Sequence, residues 1–250
     1  ISEAVSACPA ADVLVNYAHY SNVFQSSLVA LNTKTIRTVV VTTEGVPEND
    51  VRRLIAAAMR NNKIVIGPGT VGGVQAGAFK AGDTAGTAEN ALLCKLYRPG
   101  SVGLVCKSSG VLNEMCYTIS RVTDGIYEGI VVGAATYVCS TLADHVARMM
   151  SMPEVKLIIV IGEPAGYDEY QVAQLLRHGL QQQQQGTKKP PVVAWVLGTC
   201  ADTHVTVDLR NGRACTDPER DPGECAAAKM RALREAGCQV PESFADLPKL

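Results

Sequence analysis

The stretch "VKLIIVIGEPAGYDEYQVAQLLRHGL" (155–180) contains a strand followed by a helix, and it decides the fold class. Its first part is an apolar, β-branched run of strand length, which is typical of a strand buried on both faces. Glu163 follows this run, and residues 167–180 then carry apolar side chains at helical spacing. This order of elements predicts a parallel sheet that is covered by helices.

The same alternation of strand and helix patterns extends along the chain. A Gly-rich stretch at 70–86 interrupts it, which predicts a boundary between two α/β units with parallel sheets, 1–97 and 98–250. The first unit opens in mid-pattern, without a leading strand or a glycine phosphate loop, so we expect the chain to be a segment of a larger protein. Strands are predicted at 12–18, 36–43, 63–69, 101–107, 127–135, 155–163 and 191–199, and helices at 21–32, 48–62, 108–122, 141–152, 167–180 and about 222–237.

Composition narrows the class of protein. The net charge is −1 and only 5% of residues are aromatic, so we expect no nucleic-acid partner. No apolar run reaches the roughly 18 residues of a membrane span. The nine cysteines are an odd number without a CxxC pair, which favours a reducing compartment. We therefore expect an intracellular, cytoplasmic protein, with a mitochondrial location as the alternative.

Polar residues follow two of the predicted strands. Ser108, Ser109 and Gly110 lie where a strand becomes a helix, and free N–H groups at a helix start attract anions. The alternative is an ordinary serine N-cap. Glu163 lies at the end of the strand predicted at 155–163. A carboxylate at this place can orient an imidazole, hold Mg²⁺ or take a proton. The alternative for Glu163 is an acid that complements the following helix dipole.

Several longer stretches together resemble one family. They are "IRTVVVTTEGVPE" (36–48), "KLYRPGSVGLVCKSSGVLNE" (95–114), "LIIVIGEPAGYDEY" (157–170) and "REAGCQVPESFADL" (234–247). The chain resembles the central part of ATP-citrate lyases, which are related to the succinyl-CoA synthetase alpha subunit. The resemblance implies a truncated CoA-binding, dinucleotide-type (Rossmann-like) domain in 1–97 and a flavodoxin-like CoA-ligase domain in 98–250.

The resemblance also implies a chemistry. In this family a histidine in a "GHAGA" loop takes phosphate from ATP and passes it to a carboxylate, and CoA then captures the acyl phosphate. By resemblance, Ser108, Ser109 and Gly110 would bind phosphate, and Glu163 would steady the histidine and bind Mg²⁺. Two further groups would bind CoA, namely Thr43, Glu44 and Gly45 and, near the end of the chain, Leu233, Gly237 and Pro241.

One stretch departs from the family pattern. In "LRNGRAC" (209–215), Asn211 stands where the family has its histidine, or Gly212 does if the alignment has no gap. Neither residue can accept a phosphoryl group. His204 is the alternative acceptor. Whether the chain is an enzyme therefore stays open.

We predict a pseudoenzyme, that is, a structural or regulatory subunit of a larger oligomeric assembly in which binding of CoA and ATP–Mg²⁺ is either kept or lost. The alternative is a subunit of a working ATP-citrate lyase or acyl-CoA synthetase that makes acetyl-CoA from citrate, CoA and ATP.

Overall fold

The computed structural model describes residues 1–134, 137–164, 166–181, 189–199 and 222–249. The helices and strands follow the alternation predicted from the sequence. In chain order they are α1 Ser2–Ala7, β1 Val13–Asn16, α2 Tyr20–Asn32, β2 Thr38–Val41, α3 Glu48–Asn61, β3 Ile64–Ile66, β4 Gly72–Gln75, β5 Phe79–Gly82, α4 Ala88–Leu93, β6 Val102–Cys106, α5 Ser109–Val122, β7 Ile126–Val131, α6 Leu142–Met150, β8 Leu157–Gly162, α7 Asp168–Gln181, β9 Val192–Val196, a 3-10 helix Pro222–Glu224, α8 Ala226–Glu235 and a 3-10 helix Phe244–Lys249.

The first sheet is small and parallel. Its strand order is β1-β2-β3, and β2 pairs in parallel with both neighbours. Helices α2 and α3 contact each other and these strands, and they bury Val23, Leu31 and Leu54 in a shared core. The predicted parallel arrangement of this unit is confirmed.

The second sheet is mixed rather than wholly parallel. Its order is β5-β4-β7-β6-β8-β9; the four strands from β7 to β9 are parallel, whereas β4 is antiparallel to both β5 and β7. The Gly-rich stretch that we predicted as an irregular break is therefore a β-hairpin at the sheet edge. It needs glycine because a Cβ on Gly72 would lie 2.2 Å from the Ala81 carbonyl oxygen, and Gly72 has a φ of +99°.

This hairpin bears on the predicted division of the chain. Residues 72–82 hydrogen-bond with the second sheet, so the two sheets divide between Ile66 and Gly72. The division at 97/98 into a CoA-binding and a CoA-ligase domain stays a prediction.

Helices cover both faces of the second sheet. Side chains alternate along the buried strands, so Leu104 of β6 and Ile159 of β8 face a core with α5, whereas Val105 and Ile158 face a core with α6, α7 and α8. The result is three layers, in which every residue of β6 and all but the first residue of β8 are buried. Because β6 and β8 are parallel neighbours, their carboxyl ends lie side by side at one edge of the sheet.

Among the described residues, no helix combines the length and the apolar character that crossing a membrane requires.

Candidate functional site

A buried lysine follows β6. Lys107 is only 5% exposed, although lysine side chains almost always reach solvent. Its Nζ atom donates a hydrogen bond to Oδ2 of Asp168, in the first turn of α7, at 2.5 Å. This ion pair joins the loop after β6 to the helix that follows β8.

The start of α5 lies next to Lys107 in the chain. Ser108 occupies the N-cap position, yet its side chain does not cap the helix. In the part of the chain that the structure describes, the N–H groups of Gly110 and Val111 donate no hydrogen bond. A Cβ on Gly110 would meet no atom of the described residues within 4 Å, so among these residues there is open space beside this helix start. The arrangement suits an anion, since the N–H groups and the helix dipole both attract negative charge.

Glu163 directly follows β8, and its main chain is held on both sides. The Glu163 N–H donates to Oε1 of Glu169 at 2.9 Å, and the Glu163 carbonyl accepts from Nζ of Lys229 at 2.7 Å. The strand ends before Ser108 and Glu163 are adjacent, since the Lys107 N–H donates to the Ile161 carbonyl at 3.0 Å, and both Lys107 and Ser108 act to lower the pKa of the Glu163 carboxyl group. The structure therefore brings the predicted residues Ser108 and Glu163 together.

Lys229 and Glu169 form a second buried ion pair beneath this site. Both side chains are 0% exposed, and Nζ of Lys229 lies 2.7 Å from Oε2 of Glu169. This contact is an ion pair rather than an aligned hydrogen bond, because within the described residues that Oε2 atom accepts no hydrogen bond of regular geometry. The pair links α7 to α8 across the end of β8.

The site holds one more carboxylate than cations. Burial raises the pKa of Glu163, and the attraction of Lys107, although it opposes this shift, does not cancel it. Burial alone would lower the pKa of Lys107, but Glu169 and Asp168 outweigh that effect and raise it. Lys107 is thus held as a cation at neutral pH, and Glu163 binds a proton more readily than an exposed glutamate does.

A resident magnesium ion does not fit these residues. In the described segments of the chain, no three His, Cys, Asp or Glu side chains are grouped so that they could hold a metal ion. The lysines beside Glu163 also oppose a divalent cation, since they repel it. The predicted metal role of Glu163 therefore receives no support from its surroundings and stays a prediction.

The predicted CoA residues Thr43, Glu44 and Gly45 lie in the loop after β2. The Thr43 hydroxyl donates to the Ala18 carbonyl at 2.5 Å, and the Thr43 carbonyl accepts from the Gly69 N–H at 3.0 Å. Gly69 in turn lies near Ala134, which follows β7 in the second sheet. This loop is therefore at the strand ends where the two sheets meet.

The second predicted CoA group lies elsewhere. Leu233 is 1% exposed and packs in the core, so its side chain has no surface to offer a ligand. Gly237 and Pro241 flank Gln239, which pairs with Val193 near the amino end of β9. The structure thus separates these residues from Ser108 and Glu163, which lie at the carboxyl ends of the strands.

The residues that decide phosphoryl transfer are outside the described part of the chain. They are Asn211, Gly212 and the alternative acceptor His204. The predicted convergence of Asn211 with Ser109 and Glu163 therefore stays a prediction.

Sequence reasoning missed four charged residues of this site: Lys107, Asp168, Glu169 and Lys229. One signal was available, because Ala226, Lys229 and Leu233 share the buried stripe of α8 at helical spacing. A lysine on such a stripe needs a buried partner. Its partner, Glu169, is 60 residues away in the chain, and no local pattern identifies it.

Three comparisons with known proteins, by family model, by sequence and by structure, agree on the family of this chain. The model of the CoA-ligase family matches residues 105–237. The chain is 50% identical over 244 residues to ATP-citrate synthase beta chain protein 1 of Arabidopsis thaliana, covering 98% of this chain and 39% of that protein. It is 40% identical to ATP-citrate synthase of Homo sapiens over 251 residues, covering 100% of this chain and 22% of that protein.

Among solved structures, ATP citrate lyase from Methanothrix soehngenii, in complex with citrate and coenzyme A, matches with a TM-score of 0.89 and 44% identity. The match covers 100% of this chain and 39% of that one, so this chain spans well under half the length of these relatives. Acetyl-coenzyme A synthetase 1 of Ca. Korarchaeum cryptofilum, at 16% identity and a TM-score of 0.65, shares the fold. The chain belongs to the CoA-ligase family and is homologous to ATP-citrate synthase.

Proposed function

We propose that this chain is the CoA-ligase part of an ATP-citrate-lyase-type protein that binds a phosphate-bearing ligand but does not itself become phosphorylated. One observation carries the first half of the proposal: the uncapped start of α5 lies beside the buried cation Lys107. The second half rests on the sequence, in which Asn211 stands at the family's histidine position.

The ligand is proposed to be anionic because the site offers three complementary features. The amides of Gly110 and Val111 have no acceptor among the described residues, Lys107 is held as a cation, and the space beside Gly110 is open. Ser108 stands at the N-cap position without capping the helix through its side chain. A phosphate would therefore replace the missing cap.

The proposed absence of phosphoryl transfer rests on the chemistry of residue 211, with His204 as the alternative acceptor. The side-chain amide nitrogen of Asn211 has no usable nucleophilic lone pair. Gly212, which takes this position in the alignment without a gap, has no side chain. The role proposed for the chain is accordingly structural or regulatory, within a larger oligomeric assembly. The loop of Thr43, Glu44 and Gly45 is the proposed CoA contact in residues 1–97, since it lies at strand ends of a parallel sheet.

Phosphate titration followed by amide NMR tests the anion site. We expect inorganic phosphate to shift the amide resonances of Gly110 and Val111. Gly110→Glu places a carboxylate at this position, whereas Gly110→Gln adds a side chain of similar size without charge, and the open space accommodates both. Phosphate shifts should vanish in the first variant and persist in the second; equal behaviour of the two would contradict the proposal.

A working lyase subunit is the second candidate. It is favoured by the 50% identity to an ATP-citrate synthase beta chain. Mixing this chain with an active ATP-grasp subunit, citrate, CoA and ATP–Mg²⁺ separates the two candidates. Acetyl-CoA formation that depends on this chain would establish the second and exclude the first.

A further inference from the structure

A row of four polar side chains leads from β7 through α6 to Ser140, away from the site at the start of α5. Arg148 donates to both carboxylate oxygens of Glu128 and, from Nη2, to Nδ1 of His145 at 3.3 Å. Nε2 of His145 lies 3.0 Å from the hydroxyl oxygen of Ser140. His145 and Ser140 are buried, at 6% and 8% exposure. Buried polar groups are costly to desolvate, so such a row needs a reason.

The arginine decides which imidazole nitrogen of His145 carries the proton. A guanidinium group can only donate, so Nδ1 of His145 has to accept and carries no hydrogen. Burial, reinforced by the positive charge of Arg148, lowers the pKa of His145 to about 4, so the ring is neutral at pH 7. Its one N–H is therefore at Nε2, which donates to the Ser140 oxygen. His145 is thus unable to take a proton from Ser140, and the two do not form a nucleophile with its base.

This arrangement leaves the hydroxyl proton of Ser140 without an acceptor. Among the residues that the structure describes, the Ser140 side chain hydrogen-bonds only with His145, and in that bond its oxygen is the acceptor. Buried donors without an acceptor are rare in folded proteins. The hydroxyl is therefore held as a donor for an acceptor that is not among these residues.

Ser140 belongs to a junction of three loops at strand ends. The N–H of its neighbour Cys139 donates to the Gly67 carbonyl at 2.9 Å. Two residues further on, the Gly69 N–H donates to the Thr43 carbonyl at 3.0 Å. The loops after β2, β3 and β7 thus meet, and the first of them is the loop proposed to contact CoA. The carboxyl ends of parallel strands are where α/β proteins bind their ligands.

The charges at this junction favour a neutral acceptor over a phosphate. The charge of Arg148 is paired with that of Glu128, and the imidazole is neutral, so Ser140 offers a donor without a free cation. Cγ of Glu44 lies 3.6 Å from where a Cβ of Gly69 would be, which brings a carboxylate to the same junction. A carboxylate there repels an anion but not an amide. The pantetheine arm of CoA carries amide carbonyl oxygens, which are neutral acceptors.

We propose that Ser140 donates a hydrogen bond to an amide carbonyl of the pantetheine arm of CoA, and that His145 and Arg148 are positioning residues that keep the hydroxyl proton available for it. The proposal rests on the proposed function in one respect, namely that CoA contacts the loop after β2. It extends that contact to the loop after β7.

Calorimetric titration with CoA tests the hydroxyl. Ser140→Ala should weaken CoA binding about fivefold, as expected for the loss of one hydrogen bond between uncharged groups. A nucleotide that has the adenosine and phosphate groups of CoA but no pantetheine arm should bind the wild type and the variant equally. Equal weakening for both ligands, or none for CoA, would overturn the proposal. If Ser140→Ala does not fold, Ser140→Cys takes its place, since a thiol is a weak donor.

Two variants of His145 test the positioning step. His145→Gln keeps an N–H donor for the Ser140 oxygen and should retain most of the affinity for CoA, whereas His145→Leu should lose about fivefold. Adding Ser140→Ala to His145→Leu should cost nothing further, because both changes remove the same contact. Equal losses in the Gln and Leu variants would contradict the positioning role.

Amide NMR separates this proposal from the proposed function. If CoA shifts the Gly45 amide resonance in the wild type and binds Ser140→Ala as tightly, the Ser140 contact is refuted and the proposed CoA loop is kept. A wild type that binds no CoA would refute both.

Discussion

Replacing Lys107 by methionine tests the charge that the site buries. The Lys107 and Asp168 side chains are 6% and 13% exposed, and their charged atoms lie 2.5 Å apart. Removing one partner of a buried ion pair costs about 3–5 kcal/mol because the other charge loses its partner. Asp168 lies in the first turn of α7, where the helix dipole returns about 0.5–1 kcal/mol. We therefore expect Lys107→Met to lower the free energy of unfolding by about 3 kcal/mol.

Urea unfolding at pH 7 measures this cost, with Lys107→Arg as the control that keeps the charge. Asp168→Asn and the double variant complete a thermodynamic cycle, and the double variant should cost clearly less than the sum of the two single changes. A cost below about 1 kcal/mol for Lys107→Met, with additive single changes, is typical of exposed ion pairs. That result would refute the argument that this pair is desolvated.

Three further changes probe the packing, the pH dependence and the proposed loss of the phosphoryl acceptor. Gly162→Ala should destabilise the protein by about 1–3 kcal/mol in urea unfolding, since its Cβ would lie 2.5 Å from Glu169, whereas Gly110→Ala should leave the fold intact; equal effects would contradict this. Burial, reinforced by Arg148, lowers the pKa of His145 to about 4, so the unfolded chain binds the proton first as pH falls below about 6.5. The wild type should therefore lose about 2 kcal/mol relative to His145→Gln between pH 7 and pH 5, and parallel stability curves would count against it. Asn211→His should not restore phosphorylation by an active ATP-grasp subunit, because preorganised groups act as a unit; stoichiometric acid-labile label on residue 211 would show otherwise.

Much of the fold could be predicted because its strands are continuous apolar runs. The predicted strand 155–163 is observed as Leu157–Gly162, and its parallel neighbours follow the same pattern. The hairpin of β4 and β5 was missed because a stretch such as "GGVQAG" offers few side chains with strand preference. Its pairing depends instead on close backbone contacts such as that of Gly72 with Ala81.

The part of the site that was predicted consists of residues just after strands, although Lys107, which directly follows β6, was missed. Ser108 and Glu163 come after β6 and β8, so the geometry of a parallel sheet brings them together. Lys229 lies on α8, far from Glu163 in the sequence. Its place in the site depends on tertiary contacts with Glu169 and with the Glu163 carbonyl. Leu233 lies in a family-like stretch but is here a core side chain, so its predicted CoA contact rests on the resemblance alone.

The central claim is that the chain keeps an anion site at the start of α5 but has lost the phosphoryl acceptor. The most direct measurement is the acid-labile phosphate bound per mole of chain after incubation with labelled ATP, Mg²⁺ and an active ATP-grasp subunit, beside human ATP-citrate synthase as the positive control. We predict no label above background on this chain, although phosphate should still shift the Gly110 and Val111 amide resonances. Stoichiometric acid-labile label, mapped to His204 or to any other residue of the chain, would contradict it.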